Sequence, residues 1–415
     1  MKDLPLAPPE APTVVVVGGG AAGLLSAHAL LGRLRLVVLE AADRLGGGFD
    51  ARSAAGQGVD LGVRFFAEKT HPTFHALVQR LGLPILPISV DVTLHDAERG
   101  DSVVLPPSTP SHVAAIARRP SRAKQLLRFR KLADEALPLV RSEDWSLSVA
   151  ACRRRFGWSD GFHAKLFAPW AGASIGVRNA ALGELAAYPI LRHFVDQQPE
   201  GTAKPVWGHL AGGLGTFADV LSGRLQARDD VQLVTGAPVT ALTREGDRWR
   251  VRHGAGDVLA EAVVFAVPAE VARPLVAASP AAERAEPLGA FRYGDLDIVV
   301  HGDAHWMPKK RSDWSLYNVL AHRDHGVATV WEGRDARADL FMSWCPAGSQ
   351  PRQVHARRRH RVWLPTPGCG PAQAALASRQ GEDGLAFAGS WTAGIDTLES
   401  VARSAEAASA ALGVS

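Results

Sequence analysis

One stretch near the start of the chain, Thr13 to Gly48, limits what the rest can fold into. Four valines, Val14 to Val17, run without a polar interruption, the pattern of a parallel strand covered on both faces. Gly18-Gly19-Gly20-Ala21-Ala22-Gly23 follows and opens an apolar helix. G-x-G-x-x-G between a strand and a helix is the setting in which that spacing marks a dinucleotide site. Gly18 permits the tight turn, Gly20 lets backbone approach a pyrophosphate, and Gly23 lets the helix lie close to the strand. The pyrophosphate is expected on the helix N-terminus, where unpaired N–H groups and the helix dipole favour an anion. A second strand, Leu36 to Leu39, ends in Glu40, placed to accept from ribose hydroxyls. A further glycine run, Gly46-Gly47-Gly48, comes next. By itself the stretch predicts an α/β fold with a bound dinucleotide, either NAD or FAD.

A chain of 415 residues exceeds one ordinary core, so two or three domains are expected. A formal net charge of +4 is too small an excess to argue for nucleic acid, and none is expected as a partner. The excess is uneven. Arg118 to Lys131 carries seven basic residues and no acid, and Arg357 to Arg361 holds four arginines and a histidine. These read as a solvated helix face and a basic loop, or as a surface for acidic headgroups or an anionic substrate. Cys152, Cys345 and Cys369 lie far apart without C-x-x-C spacing, which predicts no disulfide framework and no metal site. Residues 1–12, with four prolines and two acids, read as a disordered leader rather than a signal peptide. No apolar run reaches 18 residues, so no membrane span is expected and a cytoplasmic location is.

Beyond the opening unit, apolar Phe74, Leu77, Val78 and Leu81 have helical spacing and predict a helix over 71–81. Residues 82–105 alternate as strands do, and 111–200 is mainly helical. Gly212 to Thr216 precedes a helix over 217–225 without a buried strand just before it. Strands are then expected at 231–234, 239–242 and 249–251, with a central, wholly apolar one at 262–268. Residues 290–364 return to strands rich in tryptophan, and Leu385 to Gly389 leads to a last helix over 400–412. The domains are therefore interleaved along the chain.

Asp43-Arg44-Leu45-Gly46-Gly47, just after Glu40, resembles the acid-then-Gly-Gly extension of FAD-binding flavoproteins. Such glycines let backbone pass close to a long cofactor and offer N–H groups to its second phosphate. The layout resembles the flavin amine oxidase and phytoene desaturase superfamily over about residues 13–412. Several segments are also similar to a bacterial subgroup of amine oxidoreductases: Val59-Asp-Leu-Gly62 with Glu68 to Pro72, Leu166 to Trp170, and Trp207 to Gly213. His301 to Asp303 with Trp306 to Pro308, Trp314 to Asn318, and Phe387 to Ile395 with Glu399-Ser400 extend the likeness. It implies an α/β fold with a Rossmann-like FAD-binding domain (glutathione-reductase-like) and an interleaved α+β substrate domain. The expected FAD-binding parts are 13–62, 206–270 and 376–415, and the substrate parts are the mostly helical 63–205 and the strand-rich 271–375.

The resemblance also implies contacts. Gly18, Gly20, Ala21, Ala22 and Gly23 would hold the pyrophosphate, Glu40 with Ala41 the adenosine ribose, and Val239 the adenine. Arg44 and Gly46, Gly47 and Gly48 would follow the ribityl phosphate, and Gly62 with Val63 the flavin ring. Gly389 and Ser390 would approach the second phosphate, and Ser400 with Val401 would bring N–H groups to flavin N1 and O2. Two positions depart from relatives: Ser400-Val401 stands where Gly-Ala is frequent, and Gly48-Phe49 where an arginine is. No cysteine lies near the C-terminal motif, so FAD is expected to be non-covalent.

With one dinucleotide fingerprint present, the organic substrate itself is expected to give hydride to the flavin, and oxygen or another acceptor to take the electrons on. Candidate reactions are amine C–N oxidation and C–C desaturation, in a setting such as a specialised biosynthetic pathway. The alternatives are a double-bond isomerase without net redox, and a desaturase of a lipid or carrier-bound substrate docking through Arg118–Lys131. A hydroxylase is disfavoured by Gly389-Ser390, because that class usually has Gly-Asp there. Tryptophans 170, 207, 306, 314, 344 and 391 are either core fillers or walls for an apolar or cationic substrate. Trp391, between the last strand and last helix, is the one placed to face the flavin. For acid–base work the candidates are Arg64, His163, His209, His301, His305 and Lys309. Arg64 is placed to meet a substrate carboxylate, and Lys309 is similar to the lysine that holds a water near N5 in amine oxidases.

Overall fold

The valine run is strand β1 (Thr13–Val17), with Val14 to Val17 all buried. The computed structural model describes residues 5–413 apart from 50, 55–56, 63, 99, 106, 108, 118–119, 197–205, 323 and 347. After β1 come α1 (Ala21–Ala29), β2 (Arg35–Leu39), the hairpin β3 (Ala51–Ala54) and β4 (Gln57–Asp60), β5 (Phe66–Ala67) and α2 (Pro72–Arg80). Strands β6 (Ile85–Ile88), β7 (Val92–Asp96) and β8 (Asp101–Leu105) lead into a helical block. It comprises α3 (Pro110–Ala117), α4 (Pro120–Arg141), α5 (Val149–Arg155), α6 (Asp160–Phe162), α7 (Ala168–Ile175) and α8 (Ala187–Asp196). A five-residue π-helical segment, His163–Phe167, joins α6 to α7.

Next are β9 (Trp207–Leu210), α9 (Leu214–Gln226), β10 (Val231–Val234), β11 (Val239–Glu245), β12 (Arg248–His253), β13 (Gly256–Ala260), β14 (Ala262–Phe265) and α10 (Ala269–Ala277). The chain continues through β15 (Arg292–His301), β16 (Tyr317–His322), β17 (His325–Trp331), β18 (Phe341–Pro346) and β19 (Val354–Leu364). It closes with α11 (Cys369–Ser378), β20 (Leu385–Phe387) and α12 (Leu398–Ala411).

Five strands make a parallel sheet in the order β10-β2-β1-β14-β20. Its register sets Val16 beside Val38 on one side and Val264 on the other. Helices α1, α2, α9 and α12 cover one face through Leu24, Phe74, Phe217 and Ala402. The antiparallel sheet β11-β12-β13 with α10 and α11 covers the other through Trp249, Val251, Val276 and Leu376. Strand and helix meet closely at the first turn. A Cβ at Gly23 would lie 1.8 Å from the Gly18 carbonyl oxygen, and Gly18 itself has φ +101. Any side chain at Gly23 therefore collides with backbone, which cannot swing aside.

A second, mixed sheet runs β19-β15-β18-β17-β16-β7-β8, with β16 and β7 its parallel pair. The helical block packs against it, and Phe167, Trp170, Tyr188 and Ile190 share a core with Leu94, Val319 and Ala328 of the strands. A small antiparallel sheet, β5-β9-β6, is hydrogen-bonded to neither, and its Phe66 and Leu210 join the core on one face of the parallel sheet.

Two expectations need correction, and other elements have no counterpart in the reading of the sequence. Residues 5–12 are docked: Ala7 is buried, its N–H donates to Asp230 Oδ2 at 2.7 Å, and Arg228 Nη2 donates to the Pro5 carbonyl at 2.7 Å. The strand before Gly212, β9, alternates as half-buried and pairs with β5 and β6, so no strand of the parallel sheet stands there. Residues 357–361 are not a loop but part of β19, and strand alternation turns Arg357, Arg359 and Arg361 toward acids. Arg357 and Arg359 pair with the fully buried Asp297, and Arg361 with Asp295 and Glu270. That charge is spent internally. Helices α10 and α11, the hairpin β3–β4 and strand β13 are not marked by any periodicity noted in the sequence.

Much of Arg118–Lys131 falls outside the described residues and side chains. Of its basic residues, Arg128 and Lys131 share Glu135, at 2.8 and 3.5 Å.

Candidate active site

At the C-terminal ends of the parallel strands the protein presents mostly backbone. Helix α1 is N-capped by Gly20, which makes no side-chain capping hydrogen bond, and the first-turn N–H groups have no acceptor within the helix. The carboxylate of Glu40 accepts from the Gly19 N–H at 2.7 Å and from the Ala42 N–H at 2.8 Å. Each oxygen keeps a free acceptor position for a hydroxyl. The Gly46 N–H donates to the Gly19 carbonyl at 2.9 Å, laying the second glycine run along the first. A Cβ at Gly47 would come within 2.8 Å of the Gly20 Cα, whereas one at Gly48 would meet nothing within 4 Å. Gly62 is adjacent, 3.3 Å from the Gly48 carbonyl oxygen at its would-be Cβ.

The Ala237 N–H donates to the Glu40 carbonyl at 2.8 Å and the Gly236 N–H to the Ala42 carbonyl at 2.7 Å, bringing Val239 to the same end. Thus Gly18, Gly20, Ala21, Ala22, Gly23, Glu40, Ala41, Gly46, Gly47, Gly48, Gly62 and Val239 form one neighbourhood. Arg44 is exposed at its rim. Val63 lies outside the described residues. A groove of bare N–H groups, open at Gly48, with a carboxylate at one end, fits a dinucleotide.

The C-terminal segment is placed differently from expectation at three positions. The Gly389 N–H donates to Ser404 Oγ at 2.9 Å, so it is not available to a phosphate, while Ser390 beside it is part-exposed. The Ser400 N–H donates to Thr397 Oγ1 at 3.1 Å, and the Val401 N–H to the Thr397 carbonyl at 3.1 Å. Thr397 caps α12 and consumes both groups proposed for flavin N1 and O2; the helix offers no acceptor only to Leu398 and Glu399. Glu399 is committed elsewhere through its side chain. It accepts from the Thr73 and Phe74 N–H groups at 2.9 and 3.1 Å, capping α2 from across the fold.

A cavity of about 970 Å³ is lined by Arg64 and Ser400 and by residues of the second sheet. One face of α8 lines it through Pro189, Arg192, His193 and Asp196, an i, i+3, i+4, i+7 stripe. Tyr317, Trp344 and His360 come from β16, β18 and β19, and Gly394 to Thr397 from the loop before α12. Trp170, Trp207 and Trp363 add aromatic wall. His71, the N-cap residue of α2, is buried, and burial pushes its imidazole down to about 4. Burial also lowers His193, against the pull of Asp196 and Asp396, and lowers His360, against Asp396.

Arg192 is held by Tyr188 Oη at 2.7 Å and by Glu143 and Asp196, each at 3.4 Å. Arg64 pairs with buried Glu332 and lies 3.4 Å from His209 Nδ1 through Nη2. Burial raises the Glu332 carboxyl, against the pull of Arg64. Burial also lifts Asp60 to about 6, against the Leu214 N–H that it accepts at 2.7 Å.

The acid–base and aromatic candidates are sorted by this geometry. Arg64 lines the cavity but its charge already belongs to Glu332, so it is not a free cation for a substrate carboxylate. His209 stands behind it. Trp391 is a core residue: it packs on Phe291 and Phe387, and its indole N–H donates to the Val267 carbonyl at 3.2 Å. Lys309 is exposed at a turn, His163 begins the π-helical segment, and neither lines the cavity. His301 is sealed in the second sheet with Nε2 2.8 Å from Ser343 Oγ, and His305 is exposed. Trp170, Trp207 and Trp344 are walls; Trp306 and Trp314 pack in small satellite cores. His71, His193, Asp196, His360 and Asp396 are not among the site candidates that the sequence offers. The stripe 189–192–193–196 was the one readable trace.

A backbone groove that fits a dinucleotide, together with a cavity walled in part by tryptophan, suits a flavin-dependent oxidoreductase. Residues 21–341 match the family of flavin-containing amine oxidoreductases, and the chain belongs to it. Its cofactor is FAD, and none of Cys152, Cys345 and Cys369, all buried, lines the cavity. The chain is 30% identical over 294 residues to the coproporphyrinogen III oxidase of Mycobacterium tuberculosis, covering 61% of this chain and 58% of that protein. It therefore spans less than two thirds of that relative's length. A putrescine oxidase double mutant shares the fold at a TM-score of 0.70 and 16% identity, over 97% of this chain and 100% of that one. A fatty acid isomerase from P. acnes does so at 0.68 and 12%, over 96% and 97%. Among the described residues no helix is long and apolar enough to cross a membrane, and no group of side chains has metal-site geometry.

Proposed function

We propose that this enzyme takes hydride from an organic substrate held in the 970 Å³ cavity, at a carbon bonded to nitrogen. The observation that carries the reading is that Arg64, two residues after Gly62, and Ser400, on the helix that the resemblance assigns to FAD, both line the cavity. FAD would be held by the α1 N-terminus, Glu40 and the Gly46–Gly48 backbone, and when bound it supplies the two-electron acceptor. The chain does the rest. Trp170, Trp207 and Trp344 orient the substrate and keep water from it. The imidazoles of His193 and His360, held neutral by burial, accept hydrogen bonds from it. Oxygen is the proposed final acceptor.

The test is anaerobic mixing of the purified yellow protein with primary amines, followed by admission of air. Amines are expected to bleach the flavin, with hydrogen peroxide appearing on reoxidation. NADPH is expected to bleach it slowly or not at all. Rapid bleaching by NADPH, with no effect of any amine, would sink the reading. A second reading, C–C desaturation, is favoured by the aliphatic stretch of wall at Pro87, Ile88, Leu94 and Leu105. It predicts bleaching by saturated carbon chains instead. Substrate conversion with no oxygen uptake would mark an isomerase.

A further inference from the structure

The charged side chains around the cavity are mostly spoken for. Arg64 is tied to Glu332, Arg192 and Asp196 to each other, and Glu399 to the start of α2. Asp396 is different. It is exposed to the cavity from the loop before α12, and its carboxylate acts electrostatically on both His193 and His360. Those three residues come from α8, β19 and the 394–397 loop, separated by more than 30 residues in every pair. Only the fold assembles them.

Their chemistry is complementary to one kind of group. A carboxylate only accepts hydrogen bonds, and each neutral imidazole offers one acceptor nitrogen. Among the described residues, neither imidazole has a side-chain hydrogen bond within the protein. All three acceptors line one cavity, whose walls also include Trp170, Trp207 and Trp344. A primary ammonium has three N–H donors and a positive charge that aromatic faces also favour.

We propose that Asp396, with His193 and His360, is a recognition site for a primary ammonium group of the substrate. The inference rests on the reading of the cavity as the substrate site and names the substrate class within it. The groups that face the site bear on its behaviour. Arg192, Asp196 and His71 face His193, and Arg358 faces His360. Protonating either imidazole removes an acceptor and adds a repelling charge, so ammonium binding weakens as the pH falls. Arg403, further along α12, is the cavity-lining cation to which a carboxylate would go instead.

The experiment uses the FAD-loaded enzyme and three probes of one shape: 2-phenylpropan-2-amine, 2-phenylpropan-2-ol and 2-methyl-2-phenylpropanoate. The amine has no hydrogen on the carbon next to nitrogen, so it binds without being oxidised. Dissociation constants are read from perturbation of the flavin absorbance. The amine is expected to bind at least tenfold tighter than the alcohol or the acid at pH 8, and to lose that advantage toward pH 5. Asp396→Asn is expected to weaken the amine at least tenfold while leaving the alcohol unchanged, and Asp396→Glu to restore part of the loss. His193→Gln removes one acceptor and is expected to cost less than Asp396→Asn.

If the amine keeps its advantage in Asp396→Asn, the site assignment falls, while bound probes leave the cavity reading standing. If all three probes bind equally in wild type and in Trp344→Ala, or none binds, the cavity is not the substrate site and both fall. Tighter binding of the acid than of the amine also overturns the assignment, in favour of Arg403.

Discussion

The two ends of this molecule are built from different materials. The end proposed to hold FAD, the FAD half, is made of backbone: glycine turns, helix N-termini and carbonyls within a parallel sheet. The cavity end is made of side chains delivered by α2, α8, β16, β18, β19 and the loop before α12. Backbone recognition needs particular residues only where space or φ demands them, so it leaves short motifs. Side-chain recognition needs residues brought together from distant segments, so it leaves almost none.

The largest expected effect tests the backbone end. Gly23→Ala places a Cβ 1.8 Å from the Gly18 carbonyl oxygen, both anchored in the sheet-to-helix turn. Loss of folded, FAD-bearing protein is expected, read as absence of yellow protein in the soluble fraction. Trp344→Ala, by contrast, is expected to keep full FAD occupancy. A yellow, fully loaded Gly23→Ala protein would break the distinction.

Acid sharpens it. His28 belongs to the FAD half and His71 and His301 to the other, and burial lowers each from 6.5 to about 4. Below pH 6.5 the unfolded chain takes up these protons before the folded one does. Stability is therefore lost as the pH falls from about 6.5 to 4, by roughly 1.4 kcal/mol per pH unit for each fully titrating histidine. Asp60, raised to about 6, works the other way over part of that range. Three sites outweigh one. Urea midpoints at pH 7.5 and 5 are expected to fall, with near-ultraviolet signals of the tryptophan-lined cavity lost first. A flat midpoint would show that the imidazoles are not held neutral.

The smallest effect concerns the join. Glu399 belongs to α12 of the FAD half and caps α2, which supplies His71 to the cavity. Glu399→Ala leaves two buried N–H groups without their acceptor and is expected to cost about 2 kcal/mol in urea unfolding. Glu399→Gln keeps an acceptor oxygen and is expected to cost less. Equal losses would mean that the charge, and not the cap, matters.

These contrasts explain what the sequence made legible. Val14–Val17 and the first glycine spacing announced the parallel sheet and its tight strand-to-helix turn because each acts locally. The helix over Phe74, Leu77 and Val78 was equally plain. Where a position depends on a partner that its motif does not name, the resemblance does not show how its groups are used. Ser400 and Val401 hold the right place in the motif, yet the hydroxyl and carbonyl of Thr397 take both of their N–H groups. Trp391 sits in the expected loop but turns into the core, because Phe291 and Phe387 offer it an apolar bed. Arg64 was noticed for its charge, and Glu332, 268 residues away, cancels it. Asp396 attracts no attention in a linear reading, since its neighbours in space are 203 residues before it and 36 before it.

The parallel sheet is assembled from residues 13–39, 231–265 and 385–387, which sets an order of events during synthesis. Strands β1 and β2 leave the ribosome early, but β1 waits more than 200 residues for β14, and β14 waits for β20. Until then an apolar strand edge stays open to other chains. The FAD half, legible first in the sequence, is thus completed last in time. Its final strand is three residues long, and only with that strand in place is the outer edge of β14 covered. Chains halted before residue 385 should therefore be clients for chaperones rather than partly active enzymes.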